Sequence, residues 1–357
     1  MSFLEYATLT VTTLRTKYLQ SFLDVDEAWK AIRAAGKKQP AYGPKFRFRR
    51  VKGTHSEASE ITDTNLTVNL NRSNVFDYVE GDWPKIIQPI ILPHPDRDRF
   101  ENAAEAKQWV AQNTRAALAG MSINIRRRFY NGGGKTTFKG FCTLLGSDTG
   151  GTRTGFQYGA LMFATPAAQQ ASAQTWLGLS RRIDTTNFVD NWYNQYKQHT
   201  GIGVDFIDSV REVKAFADSF TGDGDETGGE MNMGIMGISD HIKLSKEIRT
   251  TPGGGASLVY TVEDIKAGRV MPNVEIAAGV RFYSNRWMDP TVIGVTEPCY
   301  LITPESFEWW VWAKNDFRVT PFKDGLEVGN VDADFAFIIT SFQMAPVEPL
   351  RNGCVGQ

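Results

Sequence analysis

Residues 98–134 read DRFENAAEAKQWVAQNTRAALAGMSINIRRRFYNGGG, and this stretch decides the fold. Asp98, followed three residues later by Glu101, resembles a capping box with Asp in the Ser/Thr role. Phe100, Ala103, Ala104, Val110, Ala117, Met121, Ile125 and Phe129 then recur at helical spacing, which predicts one apolar face. Asn131 and the triplet Gly132-Gly133-Gly134 stop the helix, because both residue types tolerate the left-handed backbone that ends one. About thirty residues at 1.5 Å each make a helix roughly 45 Å long, more than the width of a small domain. A flat plate accommodates such a helix; a compact sphere does not.

Upstream of the helix the chain reads as an arm and a long excursion. Asp24 to Ala35 is weakly helical, with Trp29 and Ile32 on one side and Gly36 at its end. Between Ala28 and Ser56 every charged residue is basic, from Lys30 to Lys52. Lys45-Phe46-Arg47-Phe48-Arg49 alternates strictly, and so does Leu66-Thr67-Val68-Asn69-Leu70-Asn71, which predicts two half-buried strands. A two-stranded ribbon alone is marginal in water and needs another surface over its apolar side. That surface can belong to another chain.

Downstream, residues 132–182 are glycine-rich and poor in strand patterns. Val204 to Phe220 carries Ile207, Val210, Val213, Ala217 and Phe220 on one face, a second amphipathic helix. It runs into the acidic loop of Asp223, Asp225 and Glu226, inside a stretch without Lys or Arg between Lys214 and Lys243. Strand candidates follow at Asn273–Phe282, Pro298–Thr303 and Phe307–Trp312, and Phe335–Phe342 is an apolar strand that must return to a buried sheet. Helices and strands mix without βαβ alternation, so the class is α+β.

Composition narrows the function. The 357 residues carry 39 Lys+Arg against 40 Asp+Glu, so the surface as a whole is no nucleic-acid or membrane glove. Cys142, Cys299 and Cys354 are too few and too scattered for a disulfide framework, which fits a reducing compartment. No signal peptide opens the chain, and no apolar run is long enough to span a bilayer, so a soluble protein with no membrane partner is expected. Asn131 to Thr136 resembles a phosphate loop only superficially, since Phe129 stands where the first Gly belongs and the tract follows a helix. His55, His94, His199 and His241 have no metal spacing between them, and no nucleophile elbow appears. The Asp223–Glu226 loop lacks the EF-hand register. No enzyme, cofactor or metal is therefore expected. Arg126-Arg127-Arg128 is a candidate contact for DNA phosphates or for acidic groups of a neighbour, and the residues do not choose between them. Phe307 to Trp312 suits a core or interface strand better than a base-stacking platform.

The order of these parts resembles the major capsid proteins of tailed bacteriophages, with the fold first defined in phage Hong Kong ninety-seven. The likeness extends to the closing segment, Phe335-Ala-Phe-Ile-Ile-Thr-Ser-Phe342 with Pro346, Pro349 and Arg351-Asn352-Gly353-Cys354, and to Thr12-Thr13-Leu14-Arg15 near the start. It implies an N-terminal arm (1–42), an extended two-stranded loop (43–92), a peripheral domain (93–182) with its spine helix at 97–131, an axial domain (183–330), and a return strand of the peripheral domain (331–357).

The resemblance also implies a structural protein that assembles with itself, as pentamers and hexamers, into an icosahedral shell around double-stranded DNA. Such a shell is a virion capsid built in the host bacterial cytoplasm. Phe46, Arg47, Phe48, Arg49, Leu66, Val68 and Leu70 are then expected between subunits, with Asp223, Asp225 and Glu226 at the capsomer axis. The expected partners are a separate scaffolding protein, a portal, non-specifically packaged DNA and, as an addition, a decoration protein; Met1–Gln357 is expected to be the unprocessed product. Lys52 is the nearest match to the family's cross-linking lysine, but the sequence does not assign its partners, so cross-linking is not carried over. The other readings are an encapsulin-like compartment of the same fold and an unrelated enzyme.

Overall fold

A computed structural model describes residues 5, 7–15, 26–35, 37–51, 76–97, 99, 103–131, 140–141, 156–157, 175–176, 179–180, 195–219, 229–250, 274–288, 297–329, 332–348 and 351–357. Besides a helical stretch at residues 7–15, its helices include α1 (Glu27–Ala35), α2 (His94–Arg97), α3 (Ala103–Asn131), α4 (Phe206–Ser219), α5 (Ile238–Thr250) and α6 (Gly325–Gly329). The strands are β1 (Lys37–Ala41), β2 (Lys45–Val51), β3 (Phe76–Asp82), β4 (Ile86–Pro93), β5 (Phe156–Gln157), β6 (Thr175–Trp176), β7 (Leu179–Ser180), β8 (Gln195–Gln198) and β9 (Met233–Gly237). They continue with β10 (Val274–Ala277), β11 (Val280–Asn285), β12 (Cys299–Ile302), β13 (Phe307–Trp312), β14 (Arg318–Val319), β15 (Lys323–Asp324), β16 (Ala333–Thr340), β17 (Phe342–Pro346) and β18 (Gly353–Gly356). The mixture is α+β, as expected. Among the described residues no helix is long and apolar enough to cross a membrane.

The chain forms two compact units. The first comprises Met1–Phe46, Asp82–Gly140 and Trp309–Met344. Its backbone is α3, whose alanines favour helix at almost every turn. The 29 residues reach about 44 Å, as anticipated, although α3 begins at Ala103 and α2 is a separate turn before it. Asp98, the expected cap, lies outside the described residues. Val110, Thr114, Leu118, Met121, Ile125 and Phe129 are all fully buried and lie along one stripe. Ala104 is exposed and Ala117 only half-buried, so the true face is rotated slightly from the expected one.

Helix α3 packs on β4, which pairs antiparallel with β16 over its whole length, from Ile86↔Thr340 to Pro93↔Ala333. Strand β16 is paired on its other side by β14 and β15, which leaves β4 at the edge among the described residues. Pro89 and Pro93 suit that position, because proline cannot donate to a second neighbour.

A second sheet of the unit places β13 between β1 and β17. Trp309 of β13 stacks on Phe129 at 5.5 Å, and Trp29 of α1 stands edge-on to Phe129 at 4.5 Å and to Trp309 at 5.0 Å. Asp26 caps α1 through the Trp29 N–H at 3.0 Å and accepts the Tyr130 hydroxyl of α3 at 2.8 Å. Burial, then the Asp26 carboxylate, push that hydroxyl's pKa well up. The described part of the expected arm is packed within the unit: Ala7, Val11, Trp29 and Ile32 are buried, and Arg15 donates to the Phe317 carbonyl at 2.9 Å.

The second unit comprises Arg47–Gly81, Phe141–Glu308 and Ala345–Gln357. Its seven-stranded sheet runs β10-β11-β9-β12-β18-β8-β5. Phe206, Val210, Val213 and Ala217 of α4 join a core with Met236, Phe282, Leu301 and Val355 of the sheet. Gly234 lets β9 and β11 lie close, since a Cβ there would meet the Phe282 ring at 2.5 Å. The expected single strand 273–282 is instead the hairpin β10–β11, because Ala278 and Gly279 both take positive φ (53° and 75°). Cys299 and Cys354 are buried thiols, and burial pushes the Cys299 pKa well up, which makes it unreactive.

Three parts of the expected domain plan are corrected. Strand β4, placed in the extended loop 43–92, belongs to the first unit because β16 needs a full-length partner. Residues 309–330, placed in the axial domain 183–330, group with α3 because Trp309 fills the ring cluster beneath it. The tail 331–357 splits: β16 stays with α3, while β18 inserts between β12 and β8 of the other sheet. That insertion is held by side chains, with Asn352 accepting the Thr303 N–H at 3.0 Å and donating to Ser306 Oγ at 2.8 Å.

Two predictions follow from these cores. Phe129→Ala removes the ring on which Trp29 and Trp309 pack and should cost about 3–5 kcal/mol, read by urea unfolding. The second concerns Glu297, whose backbone sits at φ 48° and whose carboxylate accepts the Ile202 N–H at 2.9 Å and Lys243 Nζ at 2.6 Å. Burial alone would raise its pKa, but the Lys243 and Ile202 hydrogen bonds outweigh burial and hold it below the usual range. A carboxyl depressed in the fold contributes stability above its unfolded pKa and loses it as pH falls through the folded one. Glu297→Gln should therefore be less stable than the parent at neutral pH, with the gap in melting temperature closing on acidification.

Candidate assembly surfaces

Strands β2 and β3 form a two-stranded ribbon. Its second described strand is Phe76–Asp82; the expected segment Leu66–Asn71, with Leu66, Val68 and Leu70, lies outside the described residues. The alternation of β2 is as read: Lys45 and Arg47 are exposed, Phe46 and Phe48 buried. Yet these two rings are covered within the single chain, at 2% and 0% exposure, so no neighbour is needed to bury them. Phe46 stands edge-on to Trp83 at 5.5 Å, and the Trp83 indole N–H donates to the Gly43 carbonyl at 3.1 Å. Arg47 lies over the Tyr78 ring at 4.3 Å and 3.7 Å from Glu80, an exposed pair of small energetic weight. The Arg49 side chain lies outside what the structure describes.

A different surface stands out on the β4–β16 pair. Ile86, Ile90 and Leu92 are buried on the inner face, whereas Ile87 and Ile91 are 52% and 54% exposed on the outer one. The register sets Ile87 opposite Ile339, Pro89 opposite Phe337, and Ile91 opposite Phe335. Phe335, Phe337 and Ile339 are only half-buried, and the two Phe rings touch at 5.6 Å. Six apolar side chains thus form one continuous ladder on a face that stays partly open among the described residues. Strands apolar on both faces belong to sheets covered on both faces. The second unit has smaller exposed apolar groups: Val204, Ile238 and Ile242.

Of the other expected site residues, the three arginines do not share one face. Arg127 is exposed while Arg126 and Arg128 are half-buried, since successive helical residues point about 100° apart; the triplet is no single basic face. Lys38, from the basic run, pairs with Asp316 at 2.9 Å. Asp223, Asp225 and Glu226 lie outside the described residues, but the ends of their stretch are tied together. Lys214 donates to Asp218 and to the Met231 carbonyl, each at 2.8 Å, and lies 3.8 Å from Glu230. Asp218 in turn accepts the Met231 N–H at 3.2 Å.

No protein-family model and no curated protein matches the chain. Solved structures do match. The capsid asymmetric unit of cyanophage A-1(L) aligns over 90% of this chain and 89% of its own, with TM-score 0.56 and 11% identity. The capsid of a native GTA particle aligns over 91% and 89%, with TM-score 0.52 and 10% identity, and that of an empty GTA particle over 91% and 88%, at 0.52 and 9%. This chain has the phage capsid fold.

Within the capsid fold, the sequence pointed to the ribbon as the sticky element and missed the ladder. The signal was present: Ile86-Ile87-Gln88-Pro89-Ile90-Ile91-Leu92 is apolar on both faces, unlike a strand with one wet side. What pattern alone lacked was the identity of the partner strand, some 240 residues away. Lys214 was likewise read only as the border of an acidic stretch. Lys214→Met should destabilise the protein by about 1.5–3 kcal/mol, the range for hydrogen bonds to charged groups, measured by chemical denaturation.

Proposed function

We propose that this chain is a structural shell subunit, which assembles with its own copies into pentamers and hexamers of an icosahedral capsid enclosing double-stranded DNA. The observation that carries the reading is the open ladder of Ile87, Pro89, Ile91, Phe335, Phe337 and Ile339, on a chain with the phage capsid fold. Ile87 and Ile91 are each just over half exposed, and fully burying such a side chain is worth about 1.5–3 kcal/mol, so covering them stabilises an assembly appreciably. The unit built on α3 takes the peripheral role and the seven-stranded unit the axial role. The ribbon contributes Arg47 and Tyr78 as rim contacts rather than apolar anchors. Asp223, Asp225 and Glu226 are assigned to the capsomer axis, and Arg127 to neighbour carboxylates or packaged DNA. A separate scaffolding protein, a portal and a decoration protein are the further partners of this reading, and the location is the virion, assembled in the host bacterial cytoplasm.

Light scattering after size exclusion, with negative-stain imaging, tests the reading on protein expressed alone and with its scaffold. Capsomers or closed shells are expected, and a stable monomer under all conditions overturns it. Ile91→Asp should leave the subunit folded, because the side chain is exposed, but should abolish shell closure by placing a charge in the contact. Phe46→Asp should instead unfold the subunit. DNA in the purified particles supports a virion; a single enriched enzyme would support a compartment.

A further inference from the structure

Where β4 ends, three aspartates converge on one imidazole. His94 follows β4 directly, its ring is buried, and its backbone N–H donates to the Asp332 carbonyl at 3.2 Å. Nδ1 lies 2.8 Å from Asp332 Oδ1, so a proton on that nitrogen is held and the ring is oriented. Nε2 then faces Asp334 Oδ1 at 3.1 Å and Asp324 Oδ1 at 3.9 Å. One ligand atom from each of His94, Asp324 and Asp334 lies within 4.8 Å of the others.

The strand register sharpens the problem. Asp324 of β15 and Asp334 of β16 are direct cross-strand partners, and Asp334 is fully buried. Like charges directly opposite each other destabilise a sheet. A second proton on His94 would serve one of these oxygens, the nearer. A divalent cation would serve both and the imidazole nitrogen together.

We propose that His94 Nε2, Asp324 and Asp334 bind a divalent transition-metal ion of the zinc class. The donor set is one imidazole nitrogen and two carboxylate oxygens, which suits a borderline cation better than calcium or magnesium. Bonds of about 2.0–2.2 Å in a tetrahedron set ligand atoms roughly 3.3–3.6 Å apart, between the two Nε2–oxygen distances observed. Asp332 acts as the outer carboxylate that fixes the histidine tautomer. The Leu326 N–H, donating to Asp324 Oδ1 at 2.9 Å, steadies the second ligand. Asp324 is 33% exposed, which gives the ion an entry path and leaves a position for water. Bound there, the ion would pin β4, β15 and β16 at one end of the sheet that carries the ladder.

The test uses the full chain, stripped with a chelator and titrated with Zn²⁺ by calorimetry, with Co²⁺ as a spectroscopic probe and Mg²⁺ as a comparison. The expected result is one Zn²⁺ per chain, visible Co²⁺ bands of low-coordinate geometry, and a melting temperature that rises with Zn²⁺ and falls on chelation. Asp324→Asn, on the exposed side and tolerable to the fold, should abolish stoichiometric binding. Asp332→Asn should weaken it about 10–100-fold. Absence of stoichiometric binding, or binding unchanged in Asp324→Asn, overturns the proposal and leaves a doubly protonated His94 as the cation of the cluster. The readouts are metal content and stability of the subunit, so they stand apart from whether shells form.

Discussion

The eight-pair antiparallel register between β4 and β16 is the constraint on which the first unit depends. It joins segments some 240 residues apart, so its loop-closure cost is met only by dense contact along the whole interface. The inner side chains Ile86, Ile90 and Leu92 are buried where α3 packs on β4. The outer ones line up as the ladder, because a strand must send alternate residues to opposite faces. A shift of one residue would reverse those roles for every side chain of β4. The same register brings Asp334 opposite Asp324, next to His94, at the end of the pair.

The second unit solves a similar problem by different means. Its sheet receives the last strand of the chain, β18, between β12 and β8, so the C-terminal residues are core and not a tail. Asn352, Thr303 and Ser306 satisfy one another's buried polar groups beside that insertion, which the burial of all three requires. Arg351 is likewise buried and donates to the Gly229 carbonyl and, at 3.3 Å, to Glu348. These contacts fasten the last strand into the sheet of the second unit.

In the proposed role of a shell subunit, the chain has to be stable alone and still keep apolar surface uncovered. This chain separates the two demands by face. Aromatic packing around Phe129, Trp29 and Trp309 closes the inside of the first unit, while aliphatic and Phe side chains of β4 and β16 stay outside. The edge of β4 is blunted by Pro89 and Pro93, which disfavours open-ended strand addition there and leaves the face, not the edge, available for contact.

The sequence by itself determined the α+β class, the long helix, the alternation of β2 and the amphipathic helix at α4. Each is a local pattern, set by side-chain periodicity and by glycine or asparagine at its end. The capsid resemblance, drawn from the order of those parts, also agrees with the fold. What pattern could not supply was pairing. Phe46 and Phe48 read as an apolar side awaiting a neighbour, but Trp83 and the rest of the chain already cover them. His94, Asp324 and Asp334 have no metal spacing in the sequence because their 240-residue separation is closed only by strand register. Periodicity says which face of a strand is apolar; only the tertiary structure decides what lies against it, because burial depends on segments brought together across the whole chain.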